Sequence, residues 1–120
     1  MNIEEYRDFC LAKKGVSEES PFGPDTLVYK VMGKMFSLSG IENFEYINLK
    51  CDPDRAIDLR ERHEDVRPGY HMNKKLWNSV YINGDVEDKI VLELIDHSYD
   101  LVVKSLTKKL QAELEGMSND

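Results

Sequence analysis

The sequence has few cysteines and no long apolar run, and these two shortages exclude several classes of protein. Cys10 and Cys51 are its only cysteines, too far apart for a CxxC motif and too few for a zinc site. We therefore expect two reduced, buried thiols. No apolar stretch approaches the roughly 20 residues that cross a membrane, and residues 1–5 carry acids where a signal peptide is basic. These features predict a cytoplasmic protein with no membrane partner.

Basic residues are also scarce. The 16 Lys and Arg are outnumbered by 23 Asp and Glu, and the net charge of −7 opposes indiscriminate binding to nucleic acid. A polyanion partner would therefore need a locally basic face. The 120 residues, 41% of them hydrophobic, have the composition of one globular domain that can bury its own core. We expect a single domain over residues 1–115 and a frayed tail at 116–120.

Hydrophobic periodicity predicts an α+β fold. Helical spacing of apolar residues predicts helices at 3–12, 53–63 and 86–115, the last broken near His97 and Ser98 and capped by Asp85. Strands are predicted at 27–32, 34–38, 44–49, 66–70 and 76–82. Closely joined strands pair antiparallel, and helices that share one sheet face make two layers. The prediction is a two-layer α/β sandwich, α-β-β-β-α-β-β-α, with an antiparallel five-stranded sheet.

Two segments, 26–41 and 66–84, contain no acidic residue, and both coincide with predicted hairpins. Lysine and arginine on such hairpins would contact phosphates while an aromatic residue packs on sugar or base. The alternatives are solvated sheet edges or a different partner for the two segments, packing inside the protein for Trp77, and a turn-forming role for Asn73. The candidate nucleic-acid-binding residues are Lys30, Lys34, Arg67, Tyr70, His71, Asn73, Lys74, Lys75 and Trp77.

The sequence contains no recognisable catalytic or metal-binding motif. Its three histidines, His63, His71 and His97, are scattered, and neither GxSxG nor HExxH occurs. His71 is the best remaining candidate because it lies in an acid-free segment, where a structural or phosphate-facing role fits better than a catalytic one. We therefore expect a non-enzymatic protein that uses no cofactor and no metal.

Four segments resemble the bacterial MmcQ/YjbR family. They are PFGPD at 21–25, VMGKMF at 31–36, PGYHMNKKLWN at 68–78 and SYDLV at 98–102. They occur in the family's order and span nearly the whole chain. The resemblance implies a fold of the type-III-secretion-chaperone-like class with the element order given above. It also implies a suspected DNA-binding role through a double-wing motif, in which two β-hairpins act as wings, and it carries over no catalytic residue.

The primary hypothesis is therefore a non-enzymatic DNA-binding domain with wings at 27–38 and 66–82. With at most about five phosphate contacts, binding would be weak and salt-sensitive. The alternative is a chaperone-like protein-interaction module that uses the sheet surface, and a third hypothesis is an enzyme active site or small-ligand pocket around His71 and Trp77. The first predicts a flat positive surface, the second an exposed apolar patch and the third a deep cavity. We expect a monomer rather than a dimer.

Overall fold

Antiparallel strands and helices form two layers in this protein. A computed structural model describes residues 1–117, so that the last three residues of the predicted frayed tail lie outside the described range. The helices are α1 (Ile3–Leu11), α2 (Pro53–Arg62), α3 (Asp88–Ser105) and α4 (Lys108–Glu115). The strands are β1 (Val16–Glu19), β2 (Thr26–Val31), β3 (Lys34–Gly40), β4 (Tyr46–Lys50), β5 (Val66–Pro68) and β6 (Trp77–Tyr81). They pair in the order β1-β2-β3-β4-β6-β5, which confirms the α+β class.

The predicted number of five strands is wrong, because the described residues form a sixth strand, β1. This edge strand has four residues, two of which are glutamates, and its own β propensity is low. It forms because its partners lie on neighbouring elements. Val16 pairs with Val31 of β2, and the Glu18 carboxylate accepts hydrogen bonds from Arg7 of α1 and from the Tyr29 hydroxyl, both at 2.8 Å.

The predicted break in the C-terminal helix exists but lies further along the chain than Ser98. Ser98 is inside α3, where its hydroxyl donates to the carbonyl of Phe36 at 2.6 Å and accepts from the amide of Lys50 at 2.9 Å. A serine whose hydroxyl is engaged in this way does not compete for the backbone of its own helix. The break comes at Leu106, which is extended and buried, and Thr107 then caps α4. No helix within residues 1–117 is long and apolar enough to span a membrane.

The predicted capping of α3 by Asp85 is also wrong. The N-cap residue is Glu87, whose side chain makes no capping hydrogen bond. Asp85 instead accepts hydrogen bonds from the amides of Glu64 and Asp65, and its own amide donates to the Asp65 carboxylate at 2.8 Å. These bonds join the turn before β5 to the turn before α3.

The core lies on one face of the sheet, here called the covered face. All four helices contribute to it, and the side chains of Tyr6, Tyr29, Phe36, Ile47 and Ile95 are fully buried there. The strand residues that alternate with this core form the opposite, uncovered face. From the strand registers, its members are Thr26, Val28, Lys30, Met35, Leu38, Tyr46, Asn48, Lys50, Arg67, Trp77, Ser79 and Tyr81.

Candidate functional site

An open cleft of about 350 Å³ lies on the uncovered face. Strands β2, β3 and β4 form its floor, and the loops 20–25 and 69–76 form its sides. Its volume is at the lower end of the range of about 300–1,000 Å³ that is usual for ligand sites. The lining has no acidic residue; the apolar and aromatic members are Phe22, Met35, Leu38, Tyr46, Tyr70 and Met72, and the polar side chains include Thr26, Asn48 and His71.

A hydrogen-bond network fixes the loop 69–76 on this face. The Ser79 hydroxyl accepts from the amide of Tyr70 at 2.9 Å and donates to the side-chain oxygen of Asn48. The Asn48 side-chain nitrogen donates to the carbonyl of Tyr70 at 3.2 Å. Because Asn48 and Ser79 are register partners in β4 and β6, the sheet presents both side chains together. These bonds to its amide and carbonyl hold Tyr70 above the sheet.

Arg60 of α2 anchors the base of the same loop. Its guanidinium donates to the side-chain oxygen of Asn78 at 2.7 Å, to the carbonyl of Lys74 and, at 3.4 Å, to the carbonyl of Trp77. The planar fork of an arginine suits several acceptors at once. Helix α2, on the covered side of the sheet, therefore supports the loop that borders the cleft on the other side.

The loop itself is a compact turn over Trp77. The Asn73 side chain accepts from the amide of Lys75 at 3.0 Å, which is a turn-forming role, and Lys74 donates to the carbonyl of Gly69 at 3.3 Å. At Gly69 only a glycine fits, because a Cβ atom there would lie 2.8 Å from the Cβ of Trp77. Trp77 is 9% exposed, so it lies beneath the loop and outside the cleft lining.

Aromatic rings are concentrated at the cleft. Tyr46 packs edge-on against Tyr70, with ring centroids 6.1 Å apart, and packs in a tilted arrangement against Tyr81, with centroids 5.2 Å apart. His71 has a φ of +60°, a left-handed conformation that is uncommon for non-glycine residues, and its ring centroid lies 4.0 Å from that of Tyr70. Burial raises the pKa of the Tyr46 phenol, and Tyr81 adds to the effect, so that it stays protonated. Phe22 and Tyr70 are 67% and 54% exposed, which leaves ring surface free for a ligand.

Two of the predicted cations lie on the uncovered face and are partly neutralised. Lys30 is 3.2 Å from the carboxylate of Glu19 on β1. The Arg67 guanidinium lies 4.3 Å from the ring centroid of Tyr81, and it is 3.9 Å from the Asp65 carboxylate. The Lys30–Glu19 pair is partly exposed, and ion pairs at a surface stabilise a protein by about 0–1 kcal/mol. A competing phosphate can therefore displace the carboxylate at little cost.

The structure does not bring Lys34 together with the other candidates. Lys34 is the register partner of Val31, a core residue, and its ammonium group donates to the carbonyl of Ser105 at the end of α3. It therefore lies toward the covered face. Lys74 and Lys75 are exposed on the loop 69–76, whose residues 70–72 line the cleft.

Sequence reasoning missed the contribution of β4 to the cleft. Tyr46, Asn48 and Lys50 alternate with Ile47 and Leu49, which are buried in the core. Period-two alternation therefore assigns the first three residues to the opposite face. The signal is present in the sequence as a strand whose second face carries an aromatic, an amide and a cation.

The remaining histidines and cysteines lie outside the cleft and take part in hydrogen bonds, an ion pair or the core. His97 accepts a hydrogen bond from the amide of Asp52 at 3.2 Å, and His63 lies 3.6 Å from the Asp85 carboxylate. Burial raises the pKa of Cys10 to about 12 and that of Cys51 to about 11, so neither thiol is an activated nucleophile. Within the described part of the chain, no three His, Cys, Asp or Glu side chains are grouped as metal ligands would be.

Comparison with known proteins identifies the family. A family model described as YjbR matches residues 11–101. The chain is 41% identical over 92 residues to protein YbdF of Escherichia coli O157:H7, covering 76% of this chain and 75% of the relative. It is 34% identical over 110 residues to protein YjbR of Escherichia coli K12, covering 91% and 93%. The crystal structure of Deinococcus radiodurans protein DR2400 matches with a TM-score of 0.88 and 36% identity, over 99% of this chain and 91% of that one. The resemblance noted in the sequence is confirmed, and the chain belongs to the YjbR family.

Proposed function

We propose that the protein is a non-enzymatic nucleic-acid-binding domain whose contact surface is the uncovered face of the sheet. The observation that supports this proposal is a convergence of the two acid-free segments. Residues 26–41 and 66–84 belong to one sheet, and both border the same cleft. The chain has a net charge of −7, yet the cleft lining contains no acid. A polyanion is therefore repelled less at this cleft than over the rest of the surface.

Basic side chains beside the cleft supply the attraction. Three of them share the uncovered face and two lie on the bordering loop: Lys30, Lys50, Arg67, Lys74 and Lys75. Phosphate contacts from lysine and arginine give affinity and little sequence preference. Because two of these five cations already have a carboxylate within 4.0 Å, the affinity is modest. It falls with salt because each phosphate contact releases counterions from the nucleic acid.

The cleft also supports a second candidate, a chaperone-like module that binds an apolar segment of another protein. Met35, Leu38 and Met72 give the cleft an apolar lining, and Phe22 exposes 67% of its surface beside them. Methionine side chains adapt to partners of different shape. The affinity for such a segment would depend on the apolar lining, and loss of the neighbouring cations would change it little. That difference separates the two candidates.

An anisotropy titration with labelled oligonucleotides at about 50 mM salt tests the proposal, since electrostatic binding is strongest at low salt. The site variant is Lys50→Glu combined with Lys75→Glu. The matched control is Lys89→Glu combined with Lys109→Glu, which makes the same charge change at exposed positions on α3 and α4. We expect the site variant to bind roughly tenfold or more weakly than the wild type and the control to bind nearly as well.

Lys75→Glu alone serves as a second site variant, because Lys75 is exposed and its replacement leaves the sheet intact. Circular dichroism establishes that each variant is folded. The proposal is wrong if neither single-stranded nor duplex nucleic acid binds the wild type, or if the site and control variants lose affinity equally.

A further inference from the structure

We infer that the cleft binds unpaired bases of a single strand, by stacking them on its aromatic rings, rather than the outside of a duplex. This inference rests on the proposed function and specifies its ligand. A duplex keeps its bases stacked inside and presents phosphates, so a duplex-binding surface is expected to be broad and cationic. The surface here is a concave cleft of about 350 Å³ whose lining is mostly aromatic and apolar, with its cations outside it. Unpaired bases match such a lining.

The rings of the cleft are accessible as stacking platforms. Phe22 and Tyr70 both line it and are more than half exposed. Tyr46 continues the set on the floor, since its ring packs edge-on against that of Tyr70. An uncovered antiparallel sheet that carries aromatic residues is a known way to stack two or three bases of a single strand.

The network beneath the cleft makes Tyr70 a preorganised platform. Both backbone polar groups of Tyr70 are bonded to the Asn48 and Ser79 side chains, so its position does not depend on a ligand. The next residue, His71, is held in a left-handed conformation with its ring against that of Tyr70. Strained conformations of non-glycine residues persist where the surroundings impose them, and they concentrate at binding sites. Binding therefore orders few protein groups, which lowers its entropic cost.

Hydrogen-bonding groups among the rings suit base edges. The hydroxyl of Thr26, the phenol of Tyr46 and the imidazole of His71 all belong to the cleft lining. Burial raises the pKa of the Tyr46 phenol further above neutrality, and a protonated phenol can both donate and accept a hydrogen bond. The exposed edges of an unpaired base offer partners of both kinds.

The test compares three labelled ligands of equal length: a thymidine single strand, a strand of abasic sites, and a duplex. We expect the thymidine strand to bind roughly tenfold or more tightly than either of the others, because stacking of even one base contributes about that factor. Phe22→Ala and Tyr70→Ala should remove most of this preference, whereas Tyr70→Phe keeps a ring and should retain it. Ile57→Ala, at a position 53% exposed on α2, is the control outside the cleft.

The outcomes separate this inference from the function on which it rests. If the duplex or the abasic strand binds as well as the thymidine strand, phosphate contacts alone account for binding, and the inference is overturned while the proposed function stands. If no nucleic acid binds, both are overturned. Preference for bases that survives Phe22→Ala and Tyr70→Ala also overturns the inference, since the bases then lie elsewhere.

Discussion

The two faces of the sheet use the same kinds of residue in opposite ways. On the covered face, Tyr6, Tyr29 and Phe36 have no exposed surface, and the Tyr6 hydroxyl is paired with that of Ser37 at 2.6 Å. On the uncovered face, aromatic rings are left partly exposed around a cleft. Burial of an aromatic ring is a large source of stability. The covered face therefore holds the fold together, while the uncovered face leaves similar rings available for a ligand.

The polar residues of the two faces also serve different purposes: those of the core stabilise the fold, and those of the uncovered face position a loop. Buried polar groups of the core, such as Ser98, satisfy backbone groups of neighbouring strands. Asn48 and Ser79, on the other face, are bonded to the backbone of a loop that borders the cleft. The first kind of contact joins two layers of the core, and the second positions a binding loop. A sheet with one solvated face can separate these tasks residue by residue along each strand.

Truncation of neighbouring strand residues should give the largest difference between the faces. Ile47→Ala removes a fully buried core side chain, and we expect it to lower the free energy of unfolding by about 2–5 kcal/mol. Leu38→Ala, at a half-buried position on the uncovered face, should cost about 1 kcal/mol. Urea denaturation at neutral pH measures both. Equal losses from the two substitutions would mean that the uncovered face is as much a part of the core as the covered one.

Arg60 connects α2 to β6 and to the loop 69–76, and its removal should have an intermediate effect. Arg60→Ala leaves the side-chain oxygen of Asn78 and the carbonyl of Lys74 without their charged donor. We expect a loss of about 1–3 kcal/mol and faster proteolysis within the loop 69–76. Arg62→Ala is the control, because its ion pair with Asp58 is exposed and worth less than about 1 kcal/mol. If the loop is cleaved no faster in Arg60→Ala than in Arg62→Ala, α2 does not support the site.

Much of the sheet could be predicted from local patterns in the sequence. Strand β2 is rich in β-branched and aromatic residues and β4 alternates in sequence, and the Asp52-Pro53 start of α2 is a local signal that the capping bond of Asp52 confirms. Strand β1 could not be found in this way, because it depends on Arg7 and Tyr29 as partners of Glu18. The break in the last helix was predicted at the wrong place because the bonds of Ser98 to two strands are invisible in the helical pattern.

The candidate site was predictable only in part. Tyr70 and His71 were selected because they lie in an acid-free segment, and both line the cleft. Their position over the sheet depends on Asn48 and Ser79, which belong to different strands and come together only through the register of β4 with β6. Phe22 reaches the cleft from a loop whose path no local pattern specifies. Long-range pairing, rather than residue type, therefore determines which side chains share the site.

The smallest expected effect is on the pH dependence of stability, and it concerns a residue that packs on the covered side, His97. Its ring accepts a hydrogen bond from the amide of Asp52, and burial, together with the charge of Arg55, lowers its pKa below the ordinary value of 6.5. Below about pH 6.5 the unfolded chain therefore binds a proton that the folded chain does not, and the free energy of unfolding falls with the pH until it reaches the lowered pKa.

His97→Gln keeps a hydrogen-bond acceptor but removes the titrating group. We expect the wild type to lose more stability than this variant as the pH falls through the window below about 6.5, the ordinary pKa of histidine, because the folded-state pKa is lower. Above that window the two curves of unfolding free energy against pH should run parallel. Urea titrations at a series of pH values measure the difference. Parallel curves throughout would show that the proton linkage of His97 is negligible, and the pH dependence of folding would then have to come from groups other than this histidine of the covered side.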